Sequence, residues 1–245
     1  MSAEWDDDIS QLNLSEFEKN GLQIYRNYNQ AFTRHREKLF AEKVNQIAYD
    51  PSALKSVLET VTKEDQRILP IVACAYADDL LLAMFKEHIS KDVPGGLSAI
   101  FGSYGPLSSF SSRIKLAYMF RLMSLDLIQD LDKLRKVRNQ IAHGWSMSSL
   151  ENFYQREPII GLHPIEAMLT ERDELAALLV QSDPLITFRV RLLWLLARIT
   201  YEARLFAHAK RERLEPHSAL YGTHKPDLLG VVSKLALSAT RGLAQ

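Results

Sequence analysis

The stretch "LDLIQDLDKLRKVRNQIAHGW", Leu125 to Trp145, has the residue spacing of a long amphipathic helix. Its leucines recur at intervals of three and four residues, as they do along one face of an α-helix. Ser124 precedes the run as a predicted N-cap, and Gly144 follows it as a predicted left-handed stop. We therefore expect a helix of about five turns that ends beside Gly144.

Three polar residues, Arg138, Asn139 and His143, interrupt the apolar pattern. A helix turns roughly 100° per residue, which predicts that Arg138 lies in the middle of the apolar stripe. The residues within roughly 60° of it are Leu127, Leu131, Leu134, Ile141 and Ala142. A buried guanidinium stays charged, so it needs a carboxylate, backbone carbonyls or a phosphate as its partner.

Asn139 and His143 are four residues apart and share another side of the helix. A regular helix points His143 roughly 140° away from Arg138, but a fraying helix end or a second copy of the helix can bring the two together. The negative end of the helix dipole favours the imidazolium form, which makes His143 a proton donor near neutral pH. The same spacing also fits a structural ion pair and a helix cap.

The predicted carboxylate partner of Arg138 is Asp78 or Asp79. Both lie in "QRILPIVACAYADDLLLAMFKEHI", residues 66 to 89, which is apolar nearly all round and predicts a central buried helix. An isolated buried carboxylate is expensive to keep ionised, so pairing with Arg138 is the economical arrangement. Asp78 then either anchors the fold or orients Arg138 for a site.

Composition limits the classes of function. The chain has 245 residues, with 30 Lys+Arg and 30 Asp+Glu, so a nucleic-acid surface would have to be a local patch. The single cysteine, Cys74, excludes a disulfide framework. The acidic start "MSAEWDDDIS" is unlike a signal peptide, and arginines interrupt the apolar stretch 186–206 too often for a membrane span. We expect a cytoplasmic protein with no membrane association.

Helical patterns dominate the chain, which predicts an all-α bundle of antiparallel helices. The expected parts are a flexible acidic tail (1–13), an N-terminal helical extension (14–65), a core (66–150) and a C-terminal helical region (151–245). "TKED", 62–65, resembles a cap for the helix that follows it. A loop rich in glycine and serine is expected to pack Phe101, Tyr104 and Phe110 onto the core, and the long helix after Pro184 to have an apolar and an arginine face.

The long C-terminal helix ends in a basic cluster of Arg204, Lys210, Arg211 and Arg213. Such a cluster can bind RNA phosphates, and it also fits a solvated helix end. The histidines lack the spacing of metal ligands, so we predict no metal and no cofactor.

The motif "RNQIAH" resembles the Arg-Asn-x-x-x-His motif of the HEPN superfamily of helical domains. The wider segment Phe101 to Trp145, with its Gly-Pro-Leu loop, and the segment "ACAYADDLLLAMF" resemble the mannitol-operon repressor family. The resemblance covers about residues 66 to 150, roughly a third of the chain.

The HEPN resemblance implies a metal-independent endoribonuclease, of toxin or defence type, that works as a homodimer with paired motifs in one cleft. Arg138 would stabilise the phosphorane charge, His143 would be the general acid or base, and Asn139 would position the phosphate or the histidine. An antitoxin or regulatory protein is then an expected partner. The mannitol-repressor resemblance implies instead a non-catalytic transcriptional regulator or partner-binding module. A third alternative is a structural dimer in which Asp78 alone neutralises Arg138.

Overall fold

The computed structural model describes residues 5–46, 50–143, 183–211 and 226–243, and all regular structure in these ranges is α-helical. The predicted all-α class is therefore confirmed. In chain order the described helices are α1 (Asp7–Ser10), α2 (Glu16–Asn45), α3 (Ser52–Lys63), α4 (Leu69–His88), α5 (Gly96–Phe101), α6 (Phe110–Met119), α7 (Leu125–His143), α8 (Pro184–Arg211) and α9 (Asp227–Leu243). Among these helices, none is long and apolar enough to cross a membrane.

The centre of the fold is α8, which packs against α3, α4, α7 and α9. Its residues from Leu192 to Ala197 are completely buried, and the Trp194 indole donates a hydrogen bond of 3.1 Å to Thr240 on α9. α4 is also central, since it packs against α3, α6, α7 and α8, but the predicted burial nearly all round it is wrong, because Ile71 and Ala75 are exposed. α8 also lacks the predicted arginine face, since Arg198 is buried among its apolar neighbours.

The start of α4 differs from the prediction as well. The chain forms a turn after Glu64, and α4 begins only at Leu69, so "TKED" does not cap it. Pro70 stands at the first helical positions, where a missing backbone N–H costs nothing, as expected. The carbonyl of Glu64, just past the end of α3, instead accepts a hydrogen bond of 2.6 Å from the Arg189 guanidinium of α8.

α2 is a single helix of 30 residues that begins with a capping box between Ser15 and Glu18. Its buried residues are confined to the C-terminal end: Glu37, Phe40, Ala41 and Val44. Instead of forming a flexible tail, the segment before α2 contains α1 and lies along α2. Arg26 binds the Asp6 carboxylate at 2.8 Å and the Asp8 carboxylate at 2.6 Å, and the Trp5 indole donates to Asn20 at 2.8 Å.

The loop that leads into α6 is held by its own backbone. The Leu107 N–H donates to the Ile100 carbonyl at 3.0 Å, and a Cβ at Gly105 would stand 2.3 Å from that same oxygen, so only glycine fits there. Phe110 is buried, as predicted, whereas Tyr104 is fully exposed, contrary to the prediction. Ser109 caps α6 by accepting a hydrogen bond from the Ser112 N–H at 3.1 Å.

Candidate functional site

Arg138 lies at the edge of the buried stripe of α7. Leu127, Leu131, Leu134 and Val137 are completely buried, whereas Arg138 is half-buried. The prediction that Arg138 lies in the middle of the stripe was therefore wrong, because Arg138 is less buried than that position would make it. The buried face is rotated toward Val137, which leaves the guanidinium at the boundary between the core and the surface.

The Arg138 side chain is held by its neighbour in sequence. Arg138 Nε donates a hydrogen bond of 3.1 Å to Oδ1 of Asn139, which is also half-buried. Within the described ranges, no carboxylate lies within ion-pair distance of Arg138. A neutral amide fixes the guanidinium without cancelling its charge, so the remaining N–H donors can still bind an anion.

The predicted partner Asp78 binds a different arginine. The Arg113 guanidinium of α6 forms the ion pair with Asp78, and Arg113 Nε donates to the Leu107 carbonyl at 3.0 Å. The predicted pairing of Asp78 or Asp79 with Arg138 is thus replaced by an Asp78–Arg113 pair, and Asp79 is exposed. Arg113 is buried on α6, which packs against both α4 and α7, and Asp78 supplies its counter-charge from α4.

Cys74 of α4 lies close enough to Arg138 to feel its charge. Burial raises the pKa of the Cys74 thiol to about 12, while the positive charges of Arg138 and Arg135 act in the opposite direction. The thiol is therefore protonated at neutral pH and is not a nucleophile. Its sensitivity to both arginines indicates that this part of α4 lies beside the motif of α7.

His143 is the last residue of α7, and the backbone is helical up to it. The helix places it one turn beyond Asn139 on the same side, as predicted. The described side chains do not include that of His143, and Gly144 and Trp145 lie outside the described residues. The approach of His143 to Arg138 thus stays a prediction.

A groove of about 440 Å³ runs between α6 and α7 on the side of α7 that carries Asn139. Its charged residues are Lys115, Lys133 and Lys136 against the single carboxylate of Asp132. Its walls include the apolar residues Ile114, Tyr118, Leu125 and Ile128. Asn139 follows Lys136 by three residues, so the groove leads along α7 toward the motif. Spacing along a single helix could not predict this groove, because its lysines come from two helices.

A buried charge network fixes the beginning of α7. Arg198 Nε donates to Glu202 at 2.8 Å and Arg198 Nη2 donates to Asp126 at 2.7 Å; Arg198 is 1% exposed and Glu202 is fully buried. The Glu202 carboxylate accepts hydrogen bonds from the Ser124 N–H at 3.0 Å and from the Ser124 hydroxyl at 2.8 Å. Ser124 thus stands just before α7, as predicted, and its hydroxyl binds a carboxylate of α8.

Burial and the charge of Arg198 shift the pKa values of the carboxylates in this network in opposite directions. Burial raises the pKa of the Glu202 carboxyl despite its contact with Arg198. Burial also acts to raise the pKa of Asp126, but the hydrogen bond and charge of Arg198 hold it below its ordinary value. The sequence signal for the network was an Arg and a Glu four residues apart within the most apolar stretch of the chain.

The basic cluster at the end of α8 is described only in part. Arg204 is exposed on α8. Lys210 and Arg211 belong to the last turn of α8, but their side chains, and the whole of Arg213, lie outside the described residues. Their predicted contact with RNA stays a prediction. In the described ranges no three His, Cys, Asp or Glu side chains are grouped in a way that could bind a metal.

Comparisons of the chain with models of protein families, with curated proteins and with solved structures found no match.

Proposed function

We propose that this protein is a metal-independent endoribonuclease whose site is formed by Arg138, Asn139 and His143. The observation that carries the proposal is the state of Arg138: a half-buried cation, oriented by Asn139 and without a carboxylate partner in the described part of the chain. The structural alternative required Asp78 to neutralise Arg138, and Asp78 is bound to Arg113. A half-buried guanidinium with open donors is suited to a phosphate.

The chemistry needs a positive charge and two proton transfers. The ribose 2′-oxygen attacks the adjacent phosphorus, the bond from phosphorus to the 5′-oxygen breaks, and the products are a 2′,3′-cyclic phosphate and a 5′-hydroxyl. A general base takes the 2′-hydroxyl proton, and a general acid gives a proton to the leaving 5′-oxygen. In this proposal Arg138 binds the phosphorane oxygens and His143 serves in one of the two proton transfers. A second copy of His143 or a water molecule serves in the other.

The groove between α6 and α7 supports a role for RNA as the ligand. Lys115, Lys133 and Lys136 can each bind a backbone phosphate, and the exposed Tyr118 ring offers a surface for a base. The groove approaches Asn139 along α7, on the side of the helix that its geometry also assigns to His143, so a single strand bound in it would reach two of the three motif residues.

The test is cleavage of end-labelled single-stranded RNA by the full chain in the presence of a chelator. Arg138→Ala is expected to lower the rate by about 100- to 1000-fold, which is typical of a lost electrostatic donor. His143→Ala is expected to lower it by about 100- to 10,000-fold, which is typical of a lost general acid or base. The new ends should be cyclic phosphates.

The matched control is Arg135→Ala, which removes a guanidinium from the preceding turn of α7 that is bound to Asp132 at 2.8 Å. It should retain most of the activity. Absence of cleavage by the wild-type chain, or equal cleavage by all variants, would refute the nuclease. RNA that binds in the groove but stays uncut would also refute it, and would leave a non-catalytic binding module.

A further inference from the structure

Between Phe17 and Leu39, α2 carries a mainly apolar face, with Gly21 and His35 among its apolar residues, that no described part of the chain covers. Its large apolar residues are between 44% and 87% exposed: Phe17, Ile24, Tyr25, Tyr28, Phe32 and Leu39. At roughly 100° per residue they fall within a stripe about 100° wide. Tyr28 and Phe32 stack on each other along it, with ring centroids 6.2 Å apart. Contiguous exposed apolar surface of this kind marks an interaction site.

The other sides of α2 are already used. Arg26 and Asn20 bind the segment that contains α1, and Phe40 and Val44 pack at the body of the fold. The aromatic stripe lies on the side opposite Val44. All buried residues of α2 lie after Arg36, so the earlier turns gain little from the core. Helices in proteins are stabilised mostly by packing of an apolar face, which these turns lack within the described residues.

We infer that this aromatic face of α2 is the contact through which two copies of the chain associate, with their α2 helices antiparallel and crossing near Tyr28. The inference goes beyond the proposed function and does not rest on it, since it concerns a different helix and a different measurement. It rests on the symmetry of the stripe, the placement of charges beside it and the area that it would bury.

The stripe matches a second copy of itself when the two helices run antiparallel and meet at Tyr28. That arrangement places Tyr28 against its own copy, Ile24 against Phe32, and Phe17 against Leu39. A symmetric dimer requires such a self-complementary patch, because each contact must occur twice. A partner of different sequence would have no reason to match the midpoint of this stripe.

The charges beside the stripe favour the antiparallel direction. Glu18 and Arg36 lie five turns apart on the same flank of α2, and Glu16 and Lys38 lie near the opposite flank. Antiparallel pairing brings the acidic end of one helix to the basic end of the other, whereas parallel pairing aligns like charges. The Arg36 guanidinium already lies over the Phe32 ring, with its carbon 5.6 Å from the ring centroid, at the border of the stripe.

The area is in the range of a stable contact. Covering six side chains of this size and exposure would remove roughly 500 Å² from each copy. The flanking polar side chains add to this, and stable interfaces bury about 800 Å² per partner. The stripe is about 33 Å long, which matches about six helical turns against six.

The first test is the mass of the full chain in sedimentation equilibrium at micromolar concentration, which should be twice the chain mass of 28.0 kDa. The double variant Ile24→Glu, Tyr28→Glu should sediment as a single chain with an unchanged helical spectrum, because both side chains are exposed. The matched control Ile71→Glu, Met119→Glu changes exposed apolar residues on other helices and should remain a dimer.

The second test is disulfide cross-linking, for which the buried Cys74 gives little background. Tyr28→Cys should cross-link to its own copy, because residues at the crossing point face each other. Phe17→Cys alone should not, since its two copies would be about 33 Å apart. A mixture of Phe17→Cys and Leu39→Cys chains should give the mixed cross-link.

Three results would overturn the inference. One is a wild-type chain that sediments as a monomer. In that case another part of the chain or a different protein would cover the stripe. Another is a dimer that survives the Ile24→Glu, Tyr28→Glu change, which would place the contact elsewhere. The third is self-cross-linking by Phe17→Cys that equals that of Tyr28→Cys, which would indicate a parallel pair. RNA cleavage enters none of these readouts.

Discussion

The Arg113 guanidinium joins the Asp78 carboxylate on α4 to the Leu107 carbonyl ahead of α6. Arg113 is buried, so its positive charge needs a carboxylate nearby, and Asp78 supplies it. Asp78 is therefore bound to Arg113 and not to Arg138, whose Nε donates to the neutral amide of Asn139. The two arginines thus differ in their partners, a carboxylate for Arg113 and an amide for Arg138.

A double-mutant cycle should separate the two arginines. We expect a coupling free energy of about 1–3 kcal/mol between Asp78→Ala and Arg113→Ala, because they form one partly buried pair. Between Asp78→Ala and Arg138→Ala the coupling should be below about 0.5 kcal/mol. Urea unfolding of the wild type, the three single variants and the two double variants gives both values. A larger coupling to Arg138 would reverse the assignment of the pair.

The buried network of α8 should dominate the stability of the chain. Arg198→Ala leaves Glu202 fully buried without its cation and should lower the free energy of unfolding by about 3–5 kcal/mol. Arg135→Ala, which breaks a surface pair with Asp132, should lower it by less than about 1 kcal/mol. Thermal or urea unfolding measures both. Similar losses for the two variants would mean that the network contributes little.

Acid should release the α1 segment from α2. The hydrogen bonds of Arg26 hold the pKa values of Asp6 and Asp8 below their ordinary range. The docked α1 segment therefore binds fewer protons than the released segment does. Docking is therefore at full strength above the ordinary carboxyl value of about 3.9 and weakens as the pH falls below it. The indole N–H resonance of Trp5, which donates to Asn20, reports the change.

The doubly neutral variant Asp6→Asn, Asp8→Asn is the reference for that titration. Its Trp5 resonance should already have the released position at neutral pH and should not move in acid. A wild-type resonance that stays unchanged down to pH 3 would show that the two carboxylates do not hold the segment.

RNA binding should depend on the groove lysines through salt. Lys115→Ala should weaken the binding of single-stranded RNA at low salt and reduce the slope of log affinity against log salt by about one ion per lost phosphate contact. The inactive Arg138→Ala background allows binding to be measured by fluorescence anisotropy without cleavage. Lys55→Ala, a change on an exposed part of α3, is the control and should leave the slope as it is.

The sequence predicted where the helices lie along the chain better than it predicted which helices pack against each other. The leucine spacing predicted α7, and Pro70 lies in the first turn of α4, where a missing backbone N–H is tolerated. Each of these depends on contacts within a few residues. The central position of α8 could not be predicted in this way, because α4 and α8 are both rich in apolar residues and only their packing separates them.

The candidate site shows the same limit. Spacing along α7 placed Asn139 and His143 on one side of the helix, since that follows from helix geometry. It could not choose which of several arginines Asp78 binds, because Arg113 comes from a helix whose orientation is a property of the whole fold. Nor did the periodicity that located the apolar stripe fix its edge, where Arg138 lies.

The bond between Glu202 and Ser124 spans 78 residues of sequence. During synthesis, α7 leaves the ribosome long before Glu202 does, so its first turn has no acceptor for the Ser124 N–H until α8 follows. The helix that carries Arg138 and Asn139 therefore gains this anchor only after α8 has been made. A nascent or truncated chain that ends before residue 198 would present the motif on a helix with a loose beginning. Such a chain would lack the fixed geometry that the proposed cleavage site needs.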